Sequence, residues 1–159
     1  MEEAVFPYKI RMAYKEEWED AMSLAWKTFL RFEAQDYGAE GVKSFEDFIT
    51  DHTLYRMFLM GVYQMFVAFY GDTMVGLISL RSDSHISLLF VDADHHRQGV
   101  GRALIDRLCE YLRTEMGISR VTVNASPYGV GFYHRLGFTD LGQEQVADGI
   151  RYTPMELQL

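Results

Sequence analysis

Apolar residues recur at helical spacing at Leu24, Ala25, Phe29 and Phe32, with Thr28 on the same stripe, and predict a long first helix running to about Gln35 and stopped at Gly38. A short strand, Tyr8 to Met12, precedes it. Val42, Phe45, Phe48 and Ile49 repeat the spacing in a shorter helix, and Leu54, Met57 and Phe58 extend a further turn. Then the pattern changes. Met65 to Tyr70 and Thr73 to Leu80 are rich in Val, Ile and Phe, and Gly71-Asp72 between them is a two-residue hairpin signal. His85 to Val91 makes a third strand of this meander. A polar loop, Asp92 to Gln98, leads into the strongest helical pattern of the chain: Val100, Ala103, Leu104, Leu108, Tyr111 and Leu112 form one stripe, Arg102, Asp106, Glu110 and Arg113 face water, and Gly117 is placed to cap the end. Val121 to Asn124 closes a βαβ unit. Ser126-Pro127 supplies an N-cap and first-turn proline for a short helix stopped by Gly137, and strands near Phe138 and from Ile150 to Leu157 complete the sheet. The class predicted is α/β (α+β), a mixed, mostly antiparallel sheet of about six or seven strands with helices on both faces.

Length changes the picture little: 159 residues suit one domain, 1–159, with a mainly helical part over 1–64 and a strand-rich core over 65–159. Charge changes it more. The formal net charge is −8, and the first 50 residues hold 11 acidic side chains against 6 basic ones, so the summed field repels nucleic acid, an aminoacylated RNA included. The most apolar stretch, Met57 to Tyr70, covers 14 residues and is broken by Gly61 and Gln64, too short for a membrane span. Glu2 and Glu3 stand where a secretory signal carries basic residues. Cys109 is the single cysteine and cannot close an intrachain disulfide, so a reducing, cytoplasmic location is expected. No nucleic-acid or membrane partner is expected, and a homodimer stays open.

The chemistry points to the loop His95-His96-Arg97-Gln98-Gly99-Val100-Gly101-Arg102. Two glycines let main-chain N–H groups approach a ligand, a helix N-terminus adds partial positive charge, and Arg97 and Arg102 add two full charges, so the expected ligand is a phosphate. The alternative is that Gly99 and Gly101 only let the helix pack tightly on the sheet. A Walker loop is excluded because Gly-Lys followed by Ser or Thr is absent. A dinucleotide turn is excluded by Leu104 at its third small position and by the length of the loop from Val91 to Gly99.

The segment from Leu88 to Leu104 resembles motif A of the GNAT superfamily of N-acetyltransferases, Q/R-x-x-G-x-G/A, departing from it by His96 at the first position. Asn124-Ala125-Ser126-Pro127 and Phe132-Tyr133-His134-Arg135-Leu136-Gly137-Phe138 resemble motif B. The resemblance covers about residues 65 to 157 and leaves the helical first part as the variable acceptor-binding half. It implies a GNAT fold around a central βαβ unit and acetyl-CoA as co-substrate, with the amides of His96, Arg97, Gln98, Gly99, Val100, Gly101 and Arg102 around the pyrophosphate. It further implies that strand His85 to Val91 splays from strand Val121 to Asn124, and that pantetheine lies in the gap against the backbone of Leu89, Phe90 and Val91 and the amide of Asn124. Tyr133 matches the acid that protonates the departing thiolate, and Leu89 the backbone that polarises the carbonyl.

An amine must lose a proton before it attacks, and His85 is the first candidate base: it shares a strand face with Ser87, Leu89 and Val91 by period-two alternation. Asp83, Glu33 and Asp36 are reserves. Asp92, Asp94, His95 and His96 sit at near-consecutive loop positions that rarely converge on a metal, so no metal is expected. Trp26, Phe29, Phe32, Tyr37 and Phe45 are candidates for core or for an acceptor pocket. The reading is direct transfer of acetyl to a primary amine in a ternary complex, the acidic first half favouring a cationic acceptor such as a polyamine, aminoglycoside-like compound, amino-acid derivative or peptide N-terminus. The rival is a non-catalytic acyl-CoA-binding sensor, which would not need Tyr133.

Overall fold

A computed structural model describes residues 5–82 and 84–159; the reserve base Asp83 lies outside the described residues. In chain order the elements are β1 (Tyr8–Met12), α1 (Trp18–Phe32), α2 (Ala39–Ile49), α3 (His52–Leu59), β2 (Gln64–Tyr70), β3 (Thr73–Arg81), β4 (His85–Val91), α4 (Val100–Thr114), β5 (Arg120–Ala125), α5 (Val130–Arg135), β6 (Thr139–Asp140), β7 (Gln145–Ala147) and β8 (Ile150–Gln158). The sheet runs β1-β2-β3-β4-β5-β8-β6, with β7 paired to β8. Every pair is antiparallel except β4 with β5, which are joined by the α4 crossover.

One core lies on each side of the sheet. On the α4 side Leu104, Leu108 and Leu112, spaced four apart, are fully buried against Phe66, Ile78 and Val121. Each such leucine contributes about 1.5–3 kcal/mol by leaving water. Gly117 adopts φ 65°, and the Ile118 N–H returns to the Leu112 carbonyl at 2.9 Å, closing the helix as its sequence predicts. On the other side Ala21, Ala25 and Phe29 of α1 pack with Tyr63, Leu77, Leu88 and Phe90.

Four local features differ from the sequence expectation. α1 begins at Trp18, six residues before Leu24, and ends at Phe32; residues Ala34–Asp36 turn as a 3-10 helix. α5 begins at Val130, because the Ser126 hydroxyl accepts the Gly129 N–H at 3.1 Å and makes a separate turn first. The hairpin strand β7, exposed at all three residues, carries no alternation to predict it from.

The fourth lies in β4. Ser79 pairs with Leu88 and Leu80 with Ile86, leaving Ser87 as an extra, bulged residue. The bulge reverses the alternation: Ile86, Leu89 and Val91 pack toward α4, whereas Leu88 and Phe90 pack toward α1. His85 therefore does not share a face with Leu89 and Val91, correcting the period-two reading. Finally, α2 meets the β7–β8 turn backbone to backbone. A Cβ on Gly41 would lie 2.3 Å from the Gly149 carbonyl oxygen, and the nearby Ser44 hydroxyl donates to the Asp148 carbonyl at 2.8 Å.

Candidate active site

The parallel pairing of β4 with β5 is confined to His85 with Thr122 and Ile86 with Val123. Beyond Ile86 the two strands part, so the edge of β4 from Ser87 to Val91 has no strand beside it on the β5 side. A cavity of about 910 Å³ occupies this gap, bounded by β4, the start of α4, the β5–α5 turn and the end of α1. That volume falls in the range of sites that enclose small molecules. Of the catalytic and cofactor-binding residues the sequence singles out, all but His85 and Gln98 line it; the reserve base Asp36 and the acceptor-pocket candidate Trp26 do not.

The amino end of α4 forms one wall. Its first intrahelical bond runs from the Ala103 N–H to the Gly99 carbonyl, so the N–H groups of Val100, Gly101 and Arg102 have no partner within the helix. They suit an anion. Gly99 has φ 83° and Arg97, not a glycine, has φ 61°; both left-handed positions bend the loop into its turn. Gly101 serves a different purpose: a Cβ there would lie 3.1 Å from the Phe132 ring, so its absence lets α4 approach α5. For Gly101 the packing alternative is the one seen, although the partner is α5 and not the sheet.

Loop side chains are held individually. The His96 Nε2–H donates to the Val91 carbonyl at 2.6 Å, occupying one lone pair of a group expected to face pantetheine. His95 Nδ1 and the Tyr8 hydroxyl share a hydrogen bond of 2.8 Å, and Asp92 pairs with Lys27 of α1 at 2.9 Å. These three side chains turn to separate partners. Asn124, at the diverging end of β5, is exposed and lines the gap.

Tyr133 is 6% exposed, with Phe132 and Phe138 edge-on to its ring at 5.3 and 5.1 Å. Burial, and secondarily the charge of Glu33, raise its phenol above the ordinary tyrosine range, so it stays protonated. His85 stands outside the cavity at the closed end of the β4–β5 pair, its Nδ1 in a hydrogen bond of 2.7 Å with the Thr122 hydroxyl. Burial, with the positive charge of Arg81, lowers it to about 4. It is neutral at pH 7 and a weak base.

Glu33 is different. It follows the last residue of α1 and lines the cavity, with Ser126, Asp36, Tyr37 and Tyr133 as its titratable or polar neighbours. Burial first, and the Asp36 charge second, raise its carboxyl to about 7, against the opposing effect of the Ser126 hydroxyl. The sequence does carry a signal for it: an acidic residue at a helix C-terminus faces the unfavourable end of the helix dipole. Ser126 and Tyr128 are missed as site residues, since their place on the wall follows from the turn between β5 and α5.

The free amides at the start of α4 thus stand beside two parting parallel strands, with a phenol and a carboxyl on the walls of the same gap. The model of the acetyltransferase (GNAT) domain matches residues 33–159, and the chain belongs to this family. The uncharacterised N-acetyltransferase YafP of Escherichia coli is 37% identical over 52% of this chain and 51% of its own length. The match thus spans about half of that relative. The putative acetyltransferase BSU40680 of Bacillus subtilis is 25% identical over 78% of this chain and 80% of its own. Among solved structures, a GCN5-related N-acetyltransferase from Rhodopseudomonas palustris superposes with a TM-score of 0.81 at 25% identity, covering 95% of both chains. The PaiA N-acetyltransferase of Thermoplasma acidophilum, solved with coenzyme A, shares the fold at a TM-score of 0.77 and 19% identity, covering 96% of this chain and 99% of that one.

Proposed function

We propose that the protein is an N-acetyltransferase that moves acetyl from acetyl-CoA to a primary amine by direct attack with both substrates bound. The observation that carries this reading is the cavity opened where β4 leaves β5, which joins the amino end of α4 to Glu33 and Tyr133 within one wall. Val100, Gly101 and Arg102 hold the pyrophosphate through their amides, with the Arg97 and Arg102 side chains adding charge. The unpaired edge of β4 from Ser87 to Val91 receives the pantetheine arm as a strand partner would, with Asn124 opposite.

Glu33 is the base, in place of His85. It takes a proton from the acceptor amine, whose nitrogen then bonds the acetyl carbon. As the carbon–sulfur bond breaks, the Tyr133 hydroxyl gives its proton to the departing sulfur. A carboxyl at about 7 is matched to this work near neutral pH, whereas a group at about 4 binds a proton too weakly. The helical part, 1–64, supplies the acceptor wall through Phe29, Glu33, Tyr37 and Phe45. Among the described residues Glu33 is the one carboxyl lining the cavity, which suits a single ammonium group better than a row of them.

The test is thiol release from acetyl-CoA with a panel of primary amines: spermidine, a lysine-containing peptide, an amino-acid amide and an aminoglycoside. Amine-dependent release supports the reading. Binding of acetyl-CoA with no release for any amine, and no difference between wild type and Tyr133→Phe, would return the protein to a sensor of acyl-CoA.

A further inference from the structure

Three rings from three walls of the cavity lie nearly face to face. Phe32, the last residue of α1, stacks on His96 of the phosphate loop with centroids 4.6 Å apart and planes at 28°. It also stacks on Tyr128 of the β5–α5 turn, at 5.2 Å and 25°. His96 is itself fixed by its bond to the Val91 carbonyl, and Arg97 after it is locked in the left-handed region. The stack therefore runs from the phosphate loop, across the end of α1, to the turn that carries Ser126.

We propose that Phe32 is a positioning residue for acetyl transfer: stacked on both His96 and Tyr128, it fixes the direction in which the next residue, Glu33, presents its carboxylate to the acceptor amine. This rests on the transferase reading above. Helix ends fray unless something holds them, and α1 stops at Phe32, with Glu33 as the junction to the 3-10 turn Ala34–Asp36. The main chain at Glu33 keeps one helical bond, from its N–H to the Phe29 carbonyl at 2.9 Å. Beyond it the carboxylate has only Ser126 as a polar partner that favours its charged form. The Asp36 N–H donates to the Glu33 carbonyl at 2.9 Å, and the stacked rings add a side-chain constraint to this main-chain turn. The stack also accounts for His96 where the motif has Gln or Arg: an imidazole can donate to Val91 and stack on Phe32 at once, which a flexible amide or guanidinium stem does less well. Through this ring, the loop that grips the phosphates and the base that meets the acceptor become parts of one rigid unit.

The experiment compares wild type, Phe32→Tyr and Phe32→Leu for acetyl-CoA Kd, for kcat and amine KM on the four-amine panel, and for the pH profile of kcat/KM. Phe32→Leu keeps apolar volume but not the stack, and is expected to lower kcat/KM for the amine about 10- to 100-fold, the scale of a small misplacement of a reacting group. Its acetyl-CoA Kd is expected to stay within about threefold. Its rising limb near pH 7 should move to lower pH, because a loosened Glu33 meets more water. Phe32→Tyr keeps the stack and the activity. Tyr128→Ala removes the exposed outer ring (Tyr128 is 52% exposed), so it leaves the fold alone and should move the limb in the same direction with a smaller loss. Full activity in Phe32→Leu, equal damage from Phe32→Tyr, or an unmoved limb in both Phe32→Leu and Tyr128→Ala overturns the proposal while the transferase reading stands. A wild type that releases no thiol with any amine overturns both.

Discussion

The two faces of the sheet are built on different principles. The face under α4 is mainly aliphatic, with Leu104, Leu108, Leu112, Ile78 and Val121 at its centre, and what it offers a ligand is chiefly backbone, the α4 amides and the free edge of β4, with Tyr133 as its one reactive side chain. The face under α1 and α2 is aromatic, with Phe29 stacked 4.0 Å from Phe45 and 5.6 Å from Tyr37, and what it offers is side chains, Glu33 foremost. Backbone geometry is indifferent to most substitutions, so one cofactor site can serve many relatives. Side-chain chemistry is not, so on the function proposed above acceptor choice would follow the aromatic face.

The largest expected effect breaks the backbone side alone. Gly99→Glu forces a side chain into a left-handed position and puts a carboxylate beside the phosphates. Wild type with saturating acetyl-CoA should melt about 5–10 °C higher than without it, and the variant should show no rise. A preserved rise would show that the loop is only a packing turn.

Next, Glu33→Gln should reduce kcat/KM about 10²- to 10³-fold without altering acetyl-CoA Kd, and should remove the limb that rises through about pH 7. The same change has a stability signature. Because the folded carboxyl holds its proton to about 7 and an unfolded one releases it near 4.3, the native state binds more protons between those values and loses stability as pH rises across them. Glu33→Gln should therefore raise Tm relative to wild type at pH 8 and change it little at pH 4. Loss of activity combined with gain of stability is the mark of a carboxyl kept for chemistry.

Tyr133→Phe is expected to cost about 100-fold or less in kcat, since a thiolate leaves readily even without an acid. Acetyl-CoA affinity should persist. Smallest of all, His85→Gln should leave kcat/KM where it was, read in the same thiol-release assay. If His85→Gln proved more damaging than Glu33→Gln, the base would return to β4 and the contrast between the two faces would fail.

How much could be read from the chain follows the same division. The α4 stripe, the Gly71-Asp72 turn and the Gly117 cap are local signals, and the elements around the gap could be placed from them and from the motif resemblance. Ser87 shows the limit: within His85-Ile86-Ser87-Leu88-Leu89-Phe90-Val91 no residue marks a bulge, and only the register against Ser79 and Leu80 reveals that the faces exchange there. That one extra residue is why His85 looked like a base. Glu33 was legible as an acid near a helix end but not as a buried one, because Ser126 and Tyr133, its neighbours in space, come from the far end of the chain.

The backbone contact between Gly41 and Gly149, with Ser44 bonded to Asp148 across 104 residues of sequence, also sets an order of events during synthesis. Contacts so distant close late, after the local helices and hairpins have formed. While a ribosome is still making the chain, α2 can rest on α1 through Phe45 and Phe29, but its Gly41 side has no seat until the β7–β8 hairpin has emerged. Until then that side of α2 stays open to solvent and to chaperones.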